Sequence, residues 1–64
     1  MRRPKLLIAA AQYVARNKRF RKRSLKAIMA EEQGWEDLRK SKDYGYKVQK
    51  HIMILGEYIA ARQQ

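Results

Sequence analysis

The densest chemistry in the chain lies in NKRFRKRS, residues 17–24, where Lys18, Arg19, Arg21, Lys22 and Arg23 place five cations in six positions around Phe20. Such groups neutralise phosphates and release counterions, which supplies affinity that does not depend on sequence. The forks of Arg19, Arg21 and Arg23 also suit bidentate contact with a phosphate or a guanine edge. Phe20 admits two readings. An aromatic ring among cations can stack on an unpaired base, or it turns inward as part of an ordinary connection between elements. For Phe20 alone the inward reading is preferred. For the run as a whole polyanion contact is preferred, because residues 1–30 carry ten cations and no acid, while the remaining 34 residues hold six of each. The whole net charge of +10 thus sits in the first half, and that asymmetry points to a nucleic acid.

Lys26 extends the run, and Arg2, Arg3 and Lys5 form a second, weaker cluster near the start. That cluster either enlarges the footprint, as N-terminal arms do in a minor groove, or is an ordinary basic terminus. The acids Glu31, Glu32, Glu36 and Asp37 are spaced along one side of a helix. They have no second class of metal ligand beside them, so they read as a solvated face or as an intramolecular partner for the basic run. His51 reads as a histidine at the edge of the core. Trp35 and Tyr58 are the candidate anchors for a protein partner, since interface hot spots favour Trp and Tyr. No phosphate loop, nucleophile elbow or histidine–carboxylate pairing is visible in the sequence. A non-enzymatic protein without a metal or cofactor is the expectation.

These residues need elements to hold them, and the apolar spacing supplies three helices, over about 4–18, 24–41 and 44–61. Pro4 suits a first helical turn. Leu6, Leu7, Ala10, Ala11 and Val14 follow at helical spacing, with Tyr13 widening the face. Ser24 is the natural cap of the second helix, and Leu25, Ile28, Met29, Trp35 and Leu38 mark its face. Glu32 falls on that face and Gly34 interrupts it, as a kink, a break or a point of close approach. Asp43 is the candidate cap of the third helix, where Tyr44, Val48, Ile52, Leu55, Ile59 and Arg62 repeat at helical steps. Met53, Ile54 and Tyr58 spread its apolar surface further, and Gly45 and Gly56 would admit a neighbouring helix. One small all-α domain over residues 1–64 follows, a compact three-helix bundle with short connections.

Length and composition bound the rest. A chain of about 60 residues buries only roughly 60% of its unfolded surface, and with no cysteine this one has no disulfide to brace it. Its apolar faces exceed what a monomer of this size readily buries, which leaves room for a homodimer or a larger protein partner. No apolar run reaches the ~18–20 residues of a membrane span, and neither a signal peptide nor a removable transit peptide is expected. The third helix is apolar on too many sides to serve as the recognition helix of a helix-turn-helix.

The chain resembles a family of small uncharacterised helical proteins of alphaproteobacteria, the Rhodobacterales above all. The likeness rests on RRPKLL with Ala9 and Ala10, on Arg21 and Leu25, and on Tyr44 or Tyr46, Val48, His51, Leu55 and Glu57. It implies a bacterial, cytoplasmic, helical protein, and assigns no activity. Two functions therefore stand side by side. The first is a basic helical module or accessory factor that contacts DNA or RNA phosphates, within a nucleoprotein complex or alone. The second is an interaction subunit or inhibitor that docks on a larger protein through an apolar helix face.

Overall fold

The computed structural model describes residues 3–63. Alanine-rich sequence behind Pro4 forms α1, Lys5–Asn17, and the Pro4 carbonyl accepts the first helical bond from the Ile8 amide at 3.0 Å. Ser24 caps α2, Leu25–Lys40, its hydroxyl accepting from the Ala27 amide at 3.1 Å. The third helix, α3, covers Val48–Arg62. Three helices over the described residues make the all-α bundle that the apolar spacing predicts.

Helix α3 is the middle of the bundle, with α1 packed on one side and α2 on another, whereas α1 and α2 make no close backbone approach to each other. This explains why α3 is apolar nearly all round: five consecutive residues, Ile54, Leu55, Gly56, Glu57 and Tyr58, are buried. They meet Leu7 and Ala11 of α1 and Ile28 of α2 in one core, edged by Ile8, Trp35, Ile52, Ile59 and Ala61. Gly56 is the contact point of α1 and α3. A methyl group there would stand 2.8 Å from Val14 Cγ1 and 3.1 Å from the Ala11 carbonyl oxygen, closer than packed atoms allow. Gly34 has nothing within 4 Å, and α2 runs through it unbroken.

Several expectations need correction. α3 starts at Val48, not near Tyr44, because residues 41–47 are held as a turn. Lys42 there adopts a φ of 55°, and the Asp43 carboxylate accepts from the Gly45 amide at 2.7 Å. Asp43 thus caps a turn, and α3 begins without a side-chain cap. On α1, Leu6 and Tyr13 point to solvent, and on α2 so do Leu25 and Met29. The buried line of α2 runs instead through Ile28, Glu32 and Glu36 at four-residue spacing. Of the acids read as a solvated face or an intramolecular partner for the basic run, Glu32 and Glu36 are therefore interior groups, and Glu31 pairs with Arg23 of the run. No helix among the described residues is long and apolar enough to cross a membrane.

Candidate nucleic-acid interface

The basic run is the connection between α1 and α2. α1 ends where the Lys18 amide donates to the Val14 carbonyl at 2.9 Å, and Lys18 is already extended. Residues 18–24 then pass along the α3 side of the bundle to the Ser24 cap. Their cations border a cleft of about 520 Å3, rimmed by Lys18, Arg19, Arg21, Lys22 and Arg23. Its apolar walls come from Ala15, Phe20, Ile28, Ala60 and Ala61. Phe20 is half-buried and also lines an adjoining cleft of about 280 Å3 together with Trp35 and Met53.

One member of the run is spoken for. Arg23 donates to both carboxylate oxygens of Glu57 at 2.7 Å and to those of Glu31 at 2.8 and 3.1 Å. The guanidinium thereby ties the connection to α3 and α2 at once. These bonds raise the Arg23 pKa further above its already high value, and they hold the Glu31 carboxyl below the ordinary carboxylate range. Arg23 is a clamp for the loop, not a free cation, which corrects its assignment to phosphate contact. Among the described residues, Arg19, Arg21, Lys22 and Lys26 are exposed and make no ion pair or side-chain hydrogen bond. Lys18 is exposed, with its ammonium 4.0 Å from the Met53 sulfur.

The second basic cluster divides in the same way. Arg2 lies outside the described residues. Arg3 is folded into the bundle: its Nε and Nη2 donate to the two oxygens of Glu32, both at 2.7 Å, and Nε stands 3.5 Å from Glu36. Only 8% of its side chain is exposed, so Arg3 is a structural cation and does not extend the footprint. Lys5 remains exposed, but it opens α1 while Lys18 follows its end, and the thirteen-residue helix sets the two about 20 Å apart. Lys5 and the run are not one patch.

Around Arg3 the structure assembles a pairing that the sequence did not reveal. His51 Nε2 lies 2.7 Å from Glu32 Oε2, and the Tyr46 hydroxyl lies 2.8 Å from His51 Nδ1. A carboxylate accepts, so the Nε2 hydrogen points at Glu32, and the Tyr46 hydroxyl closes the other side of the ring. Burial alone would push Glu32 up, but the hydrogen bonds from Arg3 and His51 outweigh it and hold the carboxyl below its ordinary range. Glu36 is held down by its bonds from Arg39 at 2.7 and 2.6 Å, against its own burial. Burial raises Tyr46. His51 is fully buried with both ring nitrogens engaged, and among the described residues no buried side-chain polar atom lacks a partner. The group joins Arg3 to α2 and α3. The one signal in the sequence was Glu32, an acid at a position where the spacing called for an apolar residue.

The candidate protein anchors also fall on different sides of the surface. Tyr58 is buried, with Arg62 Nη1 donating to its hydroxyl at 3.2 Å, while Trp35 is half-buried and edge-on to Tyr46. An apolar groove of Pro4, Leu6, Val48 and Ile52 lies elsewhere. No family model, curated protein or solved structure matches the chain.

Proposed function

We propose that this protein binds nucleic acid through its phosphates, with Lys18, Arg19, Arg21, Lys22 and Lys26 as the contacting cations. The observation that carries the reading is the contrast in partners. Arg3, Arg23 and Arg39 are each paired with glutamates, while Arg19, Arg21, Lys22 and Lys26 have no carboxylate partner among the described residues. Cations gathered on one short connection without counter-charges repel one another, and a polyanion relieves that repulsion. Arg23 holds the strip in place and does not spend itself on the ligand.

The test is a binding titration with labelled 20-mer duplex and single strand across a range of salt. Phosphate contact gives a log–log slope of about −0.7 to −0.9 per contact, so four or five contacts give a slope of roughly −3 to −4.5. Reversing Arg19, Arg21 and Lys22 to glutamate should abolish binding without unfolding the protein. If neither oligonucleotide binds at low salt, the proposal is wrong.

A second reading has one observation in its favour. Leu6 is 86% exposed and Val48 52% exposed on the two sides of the groove at the start of α1 and α3, which suits a protein partner or a second copy of the chain. Leu6→Glu would then break a complex that the charge reversal leaves intact.

A further inference from the structure

Phe20 is the one uncharged residue between Lys18 and Arg23, and phosphate contact does not use it. It stands among five cations, half-buried, with one side of its surroundings in the 520 Å3 cleft and the other in the cleft it shares with Trp35. A surface built only for phosphates needs no apolar walls. This one has them: Ala15, Ala60 and Ala61 are small, so the walls stand back and leave a space of the size that takes a flat organic ring. Glu57 also lines the cleft, its carboxylate occupied by Arg23, and Gln63 adds an amide able both to donate and to accept.

We propose that this cleft receives an unpaired nucleobase, stacked on Phe20, while the rim cations hold the phosphates on either side. The protein is then a single-strand binder. A duplex keeps its bases stacked on one another and can offer the rim only its backbone, whereas a single strand offers both a phosphate and a π-face at each step. The geometry of the strip agrees. Its cations lie on the non-helical connection and the first turn of α2, while α3, which a groove reader would need on the surface, is the buried middle helix. Phe20 is the base platform, and Arg23 is a positioning residue that keeps the platform in the cleft. This inference rests on the nucleic-acid reading above.

The experiment compares wild type, Phe20→Tyr and Phe20→Leu against 12-mer single-stranded DNA, the same sequence as RNA, and the matching duplex, all at one low salt concentration. Tyrosine keeps the π-face, and leucine keeps apolar bulk without it. Helicity by circular dichroism establishes that each variant is folded. The expected result is tighter binding of a single strand than of duplex. Phe20→Tyr should fall within about twofold of wild type, and Phe20→Leu should lose about five- to 150-fold on the single strand. Duplex binding should change less than twofold in either variant. Trp35, the single tryptophan of the chain, shares a cleft with Phe20, so its emission should shift with the single strand and not with the duplex. Comparison of the DNA and RNA arms identifies the preferred sugar. If Phe20→Leu binds the single strand as wild type does, or loses single strand and duplex alike, the base-cleft inference fails while phosphate binding stands. If wild type binds none of the three, both fall together.

Discussion

The two basic clusters of this chain are built from the same residue types and come to opposite uses. At the start, Arg3 is folded against Glu32 and Glu36, with His51, Tyr46 and Arg39 completing the group, and among the described residues no buried side-chain polar atom lacks a partner. In the connection between α1 and α2, Arg19, Arg21 and Lys22 are exposed and have no such partners among the described residues. The difference is the supply of carboxylates. α2 turns Glu32 and Glu36 inward toward Arg3, and among the described residues only Glu31 and Glu57 pair with the connection, where Arg23 takes both. A cation with a buried acid holds the fold, and a cation without one is available to a partner.

The sharpest way to break this comparison is to remove an acid from the paired side. Glu32→Ala leaves Arg3 and His51 facing an empty site in the interior. Removing one partner of a buried pair costs about 3–5 kcal/mol, against a total stability of roughly 3–10 kcal/mol for 64 residues. The variant should melt far below wild type by circular dichroism at 222 nm. A melting curve close to wild type would show that the buried group is incidental to the fold.

Acid should act more gradually on this group and on the Arg23–Glu31 pair. Glu31, Glu32 and Glu36 all titrate below their ordinary value of 4.5 in the folded protein. A depressed folded value means the unfolded chain takes up protons first as pH falls, so this stabilisation is full above about pH 5 and is lost progressively as pH drops through the folded values. The thermal midpoint should therefore be level from pH 7 to 5 with respect to these groups and fall steeply below 4.5. Glu32→Gln should start from a lower midpoint and fall less steeply, because one of the three titrating acids is gone. Parallel acid limbs in the two proteins would mean that Glu32 contributes nothing to the dependence.

Much of this was legible in the sequence, and the part that was not has a physical reason. Ser24 announced the start of α2 because a hydroxyl before an apolar residue has few other uses, and Gly56 announced a close helix approach through its place on the apolar line of α3. The rotation of α2 was misread. Counting apolar residues put Leu25 and Met29 inside, yet the helix turns its Ile28–Glu32–Glu36 line inward because Arg3 and His51 are waiting for the acids. Those partners lie 29 and 19 residues away in the chain, and periodicity within one helix cannot carry that information. The same limit applies to Arg23, whose partner Glu57 lies 34 residues on. Charge runs show how many cations are present, but not which have found a carboxylate.

Arg23 belongs to both regions, so its loss should show in both readouts. Arg23→Gln frees Glu57 and Glu31 and releases the connection from α3. We expect a lower thermal midpoint than wild type, by less than the Glu32→Ala variant loses, together with weaker binding of oligonucleotide. The binding loss should come with little change in salt slope, since Arg23 contacts no phosphate. A slope reduced by about 0.7–0.9 would instead make Arg23 a phosphate ligand like its neighbours.

The smallest effect on stability, and the most discriminating, is expected from Arg19→Gln with Lys22→Gln. Both side chains stand in solvent without a pair, so nothing is lost from the folded state when they are neutralised, and some repulsion within the run is relieved. The thermal midpoint should move by no more than about 4 °C, as for a surface change in a domain of this size, and any movement should be upward. Binding should respond in full: weaker at low salt, with the slope shallower by about 0.7–0.9 for each cation removed. A double variant that melts well below wild type would place these two cations with Arg3 and Arg23 among the groups that hold the fold. The distinction between paired and available charge, from which the proposed interface is drawn, would then be lost.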